Sequence, residues 1–306
     1  MRLHVRGPID LPLTFTCGQA FRWTPDGDAW SGVIGGAEVR VTRIEARPAG
    51  RKTGASGRAA AAASGPDADR LALEVRGEAL DEPALARYFR LDEDPAVHLT
   101  HAEELRSLPG FEALLGLRLL RQDPWETLAS FICSAAANIR KITSCVEGMA
   151  DAWGDPIEGS SRRAFPRPET IARVREADLR ALGLGFRAPY LRDTARAIVR
   201  GRGWSWERLR HEPIDRARER LASLPGVGPK IADCVLLFAL DRLEAYPVDR
   251  WIRRATLELS ARRRANDAEL ARWAVRLGPG RGYVQQILFH LRRTSGPLPA
   301  LSTLRR

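Results

Sequence analysis

The stretch LPGVGPKIADC, Leu224–Cys234, decides the fold because its glycine-rich turn leads directly into an apolar segment. Helical patterns over 214–224 and 230–240 flank the turn and predict a helix–hairpin–helix over 214–240. Gly226 and Gly228 can take positive φ and let a backbone come close. Amides at the start of the second helix form a nest that suits a phosphate. The Walker A and GxGxxG motifs are excluded, since Ile231 stands where the first needs Ser or Thr and the second Gly.

Lys230 is unusual because the chain has 49 basic residues and only three of them are lysines. It falls in the first turn of its helix, where the helix dipole disfavours a cation. The field of the dipole, together with apolar neighbours, favours the neutral form of the amine. A neutral lysine amine can act as a nucleophile, whereas arginine stays charged and never can. The alternative is a lysine that contacts phosphate, although this chain would more naturally use arginine for that contact. The chemical interpretation is therefore preferred.

Two further residues are candidates near this lysine. Asp249, at the start of the next predicted helix, could take part in proton transfer or stabilise charge at a glycosidic bond. It could equally be a plain N-cap, and the spacing alone does not decide. Cys234 lies one turn after Lys230 on the same helical face. From the pattern alone it is a small buried core residue.

Composition points to a polyanionic partner. The 306 residues carry a net charge of +11, which favours nucleic acid over a membrane surface, although a GC-rich genome would also raise the arginine content. The four cysteines show no metal-ligand spacing, so neither a zinc site nor a Cys-ligated cluster is expected. We see no secretory signal and no apolar run that could span a membrane. We therefore expect an intracellular protein with reduced thiols, in the cytoplasm or nucleoid of a bacterium or the nucleus of a eukaryote.

The chain divides into a β-rich part over 1–98 and a helical part over 99–306. Alternating runs on either side of Gly35-Gly36 predict a hairpin, and a further strand covers 70–75. Between them, the Gly-, Ala- and Arg-rich stretch 47–70 is predicted to be a disordered insertion. Asp123 and Pro124 mark a helix start, and helical spacing of apolar residues continues from there to Ile142. A final helix is predicted near 283–292.

Several segments together resemble the helix–hairpin–helix (HhH-GPD) DNA glycosylases, in particular the branch of 8-oxoguanine DNA glycosylase/AP lyases. The hairpin and aspartate in LPGVGPKIADCVLLFALDRLEAYPVD, 224–249, are central to the resemblance. The other matching segments are CGQAFRW (17–23), YFRLDED (88–94), RLLRQDPWETLASFICS (118–134), NIRKI (138–142), LGLGFRAPY (182–190) and GYVQQILF (282–289). They are spread along almost the whole chain and leave out the stretch 47–70.

The resemblance implies an α+β fold, with an N-terminal antiparallel β-sheet domain followed by two all-helical subdomains that hold the active site between them. It implies that Lys230 attacks C1′ of the damaged nucleotide and forms a Schiff base, and that Asp249 assists deprotonation and stabilises charge. No cofactor and no catalytic metal are expected, because the amine supplies the nucleophile. The implied partner is double-stranded DNA that contains oxidised guanine, bound by a monomer.

The same resemblance implies a pocket for a flipped base. Cys234 and Phe289 would stack on the base, and Gln285 would meet its Watson–Crick edge. The Gly18 carbonyl would accept from N7–H, which 8-oxoguanine has and guanine lacks. The remaining residues implied to contact DNA are Asn138, Lys141, Phe186 as the wedge in the stack, Arg187 at the opposite cytosine, Gly226, Gly228 and Trp251.

Three positions depart from the family pattern. Ala136 stands where an asparagine fills the space left by the flipped base, Lys141 where an arginine often reads cytosine, and Trp251 where a phosphate-contacting histidine is common. The prediction is a bifunctional glycosylase/lyase for 8-oxoguanine opposite cytosine. The alternatives are a glycosylase of this fold for other lesions such as alkylated purines, which Lys230 argues against, and a non-catalytic helix–hairpin–helix DNA-binding protein.

Overall fold

The computed structural model describes residues 1–44, 70–201 and 203–304. The predicted insertion at 47–70 therefore lies outside the described residues, except for Arg70, which opens a strand. The described part of the chain begins with an antiparallel sheet and continues as a series of helices, so the predicted fold class is confirmed. No helix within those ranges is long and apolar enough to cross a membrane.

The N-terminal sheet has five antiparallel strands, which lie side by side in the order Arg2–His4, Arg70–Gly77, Ala37–Ile44, Ala29–Ile34 and Trp23–Asp26. The predicted hairpin is present: Ile34 pairs with Ala37, and Gly35 takes φ +57° in the two-residue turn between them. Two short strands, of three and four residues, were not predicted, because runs this short carry too little of the alternating pattern to stand out. The strands are β1 (Arg2–His4), β2 (Trp23–Asp26), β3 (Ala29–Ile34), β4 (Ala37–Ile44) and β5 (Arg70–Gly77).

Helices dominate the chain after the last strand. The first two helices, α1 (Leu11–Thr16) and α2 (Glu82–Tyr88), accompany the sheet. The others are α3 (Pro124–Cys133), α4 (Ile139–Trp153), α5 (Pro168–Ile171), α6 (Glu176–Ala181), α7 (Arg187–Arg200), α8 (Trp206–His211), α9 (Ile214–Ala222), α10 (Pro229–Phe238), α11 (Arg250–Leu259), α12 (Asp267–Ala274), α13 (Arg281–Thr294) and α14 (Leu301–Leu304).

Two hydrophobic clusters underlie this architecture. The smaller one packs the inner face of the sheet against α2 and one side of α1. The larger one fills the helical part and also takes up Leu13, Cys17 and Phe21, which lie on and just after α1. Helix α1 and the loop after it are thus shared between the two clusters. The domain boundary near residue 98 stays a prediction.

One expectation about the helices is wrong. Helical spacing predicts a single helix from Asp123 to Ile142, and Asp123 does cap its start by accepting from the Glu126 amide at 2.8 Å. The helix, however, ends at Cys133, and α4 begins at Ile139. The Asn138 side chain caps α4 by accepting from the Lys141 amide, and Ala136 turns the chain with φ +50°. The asparagine side chain competes with backbone carbonyls for such amides, which favours the start of a new helix over continuation of α3.

Candidate active site

Lys230 is the second residue of α10 and is half-buried. Its Nζ donates to Ser134 Oγ at 2.9 Å and lies 4.9 Å from the centre of the Phe131 ring. Ser134 Oγ in turn donates to the Phe131 carbonyl at 2.6 Å. The amine is therefore held against α3 by one polar and one aromatic contact. Neither Ser134 nor Phe131 was predicted from the sequence as a site residue, since both lie about a hundred residues away along the chain.

Asp249 caps the N-terminus of α11. The amides of Trp251 and Ile252 both donate to its Oδ1, at 2.9 and 2.8 Å. These bonds confirm that Asp249 is an N-cap and fix the direction of its carboxylate. Because both bonds end on Oδ1, Oδ2 is left available to act on a ligand. The catalytic role of Asp249 stays a prediction.

Cys234 lies one turn after Lys230 and is almost fully buried. Burial raises the pKa of its thiol to about 12, with a smaller lowering effect from the charge of Lys230 and a raising effect from Asp249. Both charged groups are therefore close enough to act on the sulfur. The thiol stays protonated at neutral pH and presents a neutral, polarisable surface beside the amine.

The predicted base pocket has its walls on three separate segments. Gly18, with φ +86°, lies after α1, and a Cβ built on it would be 3.5 Å from Phe289 Cε1 on α13 and 3.3 Å from Ile139 Cδ1 on α4. Gln285, also on α13, is buried and donates through Nε2 to the Pro247 carbonyl at 3.1 Å. Its Oε1 is buried and has no hydrogen-bond partner among the described residues. A buried amide oxygen without a partner is costly and is a position where a ligand donor would be accommodated.

The two hairpin glycines differ in backbone conformation and in the space around them. Gly226 has φ +73°, and a Cβ there would approach Tyr190 Cβ to 2.5 Å, so both conformation and space require glycine. Gly228 instead has φ −98° and caps α10, with nothing within 4 Å of a Cβ built on it. It does not use the positive φ open to a glycine, because the residue before Pro229 is confined to extended backbone. Both glycines are exposed, as an approaching backbone would require.

A rim of exposed side chains runs beside the hairpin. The Phe186 ring is 53% exposed, so an apolar side chain projects from the surface where the wedge is expected. The Arg187 guanidinium stacks on that ring at 4.5 Å and donates to the carbonyls of Ala135 and Leu184. Those bonds use three of its five N–H donors, and Arg187 itself is only 8% exposed beneath the Phe186 ring. Tyr190, 45% exposed, extends this apolar surface to the hairpin and was not singled out from the sequence.

The other predicted DNA contacts lie at the start of α4 and at the start of α11. Asn138 uses its side chain to cap α4, and the exposed Lys141 extends toward Gly183. Trp251 is half-buried, with the guanidinium groups of Arg250 and Arg254 over its ring at 5.0 and 5.5 Å. Two arginines thus bring positive charge to the position that is a histidine in the family pattern. The DNA-contacting roles of these residues stay predictions.

Within the described ranges no group of three or more His, Cys, Asp or Glu side chains could hold a metal ion. The four cysteines are all buried and unpaired.

Comparisons with known proteins identify the family of the chain. The model of the 8-oxoguanine DNA glycosylase N-terminal domain matches residues 3–128, and that of the HhH-GPD superfamily base excision DNA repair protein matches residues 129–277. A probable N-glycosylase/DNA lyase of Methanothermobacter thermautotrophicus is 36% identical over 209 residues, which are 61% of this chain and 66% of that protein. The N-glycosylase/DNA lyase OGG1 of Arabidopsis thaliana is 33% identical over 252 residues, 79% of this chain and 63% of that protein. The chain thus spans somewhat under two thirds of these curated relatives.

Among solved structures, the Clostridium acetobutylicum 8-oxoguanine glycosylase/lyase, in complex with double-stranded DNA that has cytosine opposite 8-oxoG, superposes with a TM-score of 0.77 at 27% identity. The match covers 94% of this chain and 92% of that one. Together, the two family models account for nearly all of the chain from the first strand to the end of α12. The chain belongs to the HhH-GPD superfamily of base excision DNA repair proteins, in its 8-oxoguanine DNA glycosylase branch.

Proposed function

We propose that this chain is a bifunctional DNA glycosylase/AP lyase that removes 8-oxoguanine, preferably opposite cytosine, from double-stranded DNA. One observation carries the proposal. The Lys230 amine is held at the N-terminus of a helix, one turn before a buried thiol that is within reach of both its charge and that of the Asp249 carboxylate. An amine and a carboxylate near one another are the pair that displacement at a sugar carbon requires.

The proposed reaction begins when the neutral Lys230 amine attacks C1′ of the damaged nucleotide. The C1′–N9 bond breaks, and its electron pair leaves with the base, which takes up a proton. Asp249 stabilises the positive charge that develops on the sugar and accepts the proton that the nitrogen loses. Opening of the sugar ring gives an imine between Nζ and C1′. Removal of a C2′ proton then expels the 3′ phosphate and cuts the strand.

Recognition of the base follows from donors and acceptors. In the proposed pose the base lies between Cys234 and Phe289, with its Watson–Crick edge at the unpartnered Oε1 of Gln285. The Gly18 carbonyl faces N7. Since N7 carries a hydrogen in 8-oxoguanine and a lone pair in guanine, the same carbonyl attracts one base and repels the other.

The duplex is proposed to lie along the rim beside the hairpin. Phe186 enters the stack, Arg187 and Lys141 approach the opposite base, and Asn138, Gly226, Gly228 and Trp251 contact the backbone. The high net charge supports this placement because Lys and Arg supply most of the affinity for DNA. We propose that the protein acts as a monomer inside the cell, where its DNA substrate is.

Borohydride trapping tests the proposal, since it reduces the imine to a stable covalent adduct. Duplexes carry 8-oxoguanine opposite each of the four bases, and one further duplex carries an alkylated purine. We expect an adduct that is strongest opposite cytosine and absent with Lys230→Gln. Arg76→Gln, which changes an exposed basic residue on β5, is the control and should still form the adduct.

Two results would overturn parts of the proposal. No adduct, or one that survives Lys230→Gln, would remove the lyase assignment. Equal processing opposite all four bases would remove the cytosine preference and would point to Ala136, which cannot hydrogen-bond into the space left by the flipped base.

A further inference from the structure

The loop that carries Gly18 is fastened to the rest of the molecule by three glutamine side chains. Gln286 on α13, only 2% exposed, donates through Nε2 to the Cys17 carbonyl at 2.7 Å. Gln122 donates in the same way to the Gln19 carbonyl at 2.9 Å. Gln19 itself is buried, donates to the carbonyls of Thr14 and Arg118, and accepts from the Leu120 amide. The loop is thus bonded on both sides of Gly18.

The carbonyl of Gly18 lies between these two fastened carbonyls. Among the described residues, no donor reaches it, whereas the carbonyls on either side each have one. A glycine at φ +86° is free to rotate, because it has no Cβ to restrict it. The direction of its carbonyl is therefore set by the two neighbouring peptide groups and by the side chains that hold them.

Gln286 holds the first of these peptide groups. Without its donor, the peptide between Cys17 and Gly18 could turn about ψ of residue 17 and φ of residue 18, and the next carbonyl would turn with it. The Cys17 carbonyl would also lose its partner while buried, which favours a rearrangement of the loop. Gln286 touches the loop and does not itself reach the base position assigned to Gln285, since consecutive helical residues point about 100° apart.

We propose that Gln286 is a positioning residue for lesion selection: it fixes the peptide before Gly18 so that the Gly18 carbonyl faces N7 of the extruded base. This inference rests on the proposed function. The two neighbouring glutamines of α13 then divide the task. Gln285 meets the base directly, and Gln286 aims a backbone acceptor at the atom that distinguishes the oxidised base from guanine.

The test compares Gln286 with Gln286→Met, which keeps the length of the side chain and removes the donor. Affinities are measured in a Lys230→Gln background for duplexes that contain 8-oxoguanine, guanine or 7-deaza-8-oxoguanine opposite cytosine. The last base has carbon in place of N7 and so lacks the N7–H donor. Tyr283→Phe, which removes a buried polar atom from the same helix without touching the loop, is the matched control.

We expect Gln286→Met to weaken binding of 8-oxoguanine about tenfold, the contribution of one hydrogen bond, and to leave binding of the 7-deaza base within about twofold. With Lys230 restored, cleavage of a pre-formed abasic site should also stay within about twofold, because that substrate has no base to recognise. The Tyr283→Phe control should leave the preference for 8-oxoguanine over guanine unchanged.

Equal loss on the 8-oxoguanine and 7-deaza duplexes, or no loss on either, would overturn the role of Gln286. If the parent protein itself bound 8-oxoguanine and guanine equally, the proposed function would fail and this role with it. The binding measurements on the parent protein alone reveal that failure, so it is distinguished from a failure of the role of Gln286.

Gln286→Glu provides a second arm should the methionine variant not fold. A buried glutamic acid can donate to the Cys17 carbonyl only when it is protonated, and burial favours that form. The preference of this variant for 8-oxoguanine over guanine should therefore increase as the pH falls from about 8 to about 5.5, while that of the parent stays constant. A preference that does not change with pH in the variant would contradict the positioning role.

Discussion

Ser134 is the residue whose side chain touches the proposed nucleophile, and its geometry limits what it can do. Its hydroxyl hydrogen is committed to the Phe131 carbonyl, so Oγ can only accept from Lys230. A neutral amine has two hydrogens and one lone pair. With one hydrogen at Ser134, the lone pair must point away from that oxygen. We infer that the serine aligns the lone pair for attack, which is a contribution to orientation.

Ser134→Ala should therefore slow the formation of the trapped adduct on an abasic site about tenfold, with the Kd for DNA unchanged. Ser134→Thr keeps the hydroxyl and should retain most of the rate. Ser144→Ala, at an exposed position of α4, is the control. Single-turnover trapping and a binding titration measure the two effects. Weaker binding at an unaltered trapping rate would contradict an orienting role.

At the scale of elements, the hairpin between α9 and α10 places two glycines in unlike positions. Gly226 is required by its backbone conformation and by the contact with Tyr190, whereas Gly228 has an extended backbone and open space around it. An effect of Gly226 on DNA binding would thus be mixed with its effect on folding. Gly228 reports on the approach of DNA alone.

Gly226→Ala should lower the free energy of unfolding by about 2 kcal/mol, because the positive φ and the contact with Tyr190 both oppose a methyl group. Gly228→Ala should lower it by less than about 1 kcal/mol and yet weaken DNA binding, since its methyl group occupies the space that a phosphate would approach. Urea denaturation and a binding titration separate the two. Similar losses of stability in both variants would argue against this difference.

At the scale of the whole molecule, a buried ionic network joins the segment after α2 to the end of α10. Arg90, only 1% exposed, pairs with Glu93 at 3.0 Å and with Asp241. Arg121 also pairs with Asp241, at 2.9 Å, and His98 contacts Glu93 at 3.0 Å. Although burial opposes it, the hydrogen bond with His98 and the charge of Arg90 lower the pKa of Glu93 from 4.5 to about 2.

This network predicts a defined sensitivity to acid. A carboxyl with a lowered pKa in the folded state stabilises the fold above its unfolded pKa, and this stabilisation is lost as the pH falls from about 4.5 to about 2. Glu93→Gln should cost about 2 kcal/mol at pH 7 and should make unfolding less pH-dependent in that window. Glu103→Gln, at an exposed carboxylate, should change neither. Denaturation at several pH values measures this, and an unchanged acid slope in Glu93→Gln would contradict it.

The sequence predicted most of the helices, the β-hairpin at Gly35-Gly36 and the lysine, because these depend on local signals: periodicity, caps, turn residues and an uncommon residue type. It did not predict Ser134 beside Lys230 or Gln286 beside Cys17, since those contacts join residues that are 96 and 269 positions apart. Asn138 is a local signal for the break between α3 and α4. The helical spacing of the apolar residues on both sides of it nevertheless predicted one continuous helix. The Pro229 restraint on Gly228 was also present in the sequence, although the glycine itself suggested a freer backbone.

The bond between Gln286 and the Cys17 carbonyl has a consequence for biosynthesis. The chain leaves the ribosome with Lys230 and the hairpin before α13 exists, so the amine is made earlier than the wall that discriminates between bases. Since α1 and α13 must meet before this bond can form, the proposed base pocket is complete only after α13 has been synthesised and packed, which makes it one of the last features of the fold to be assembled.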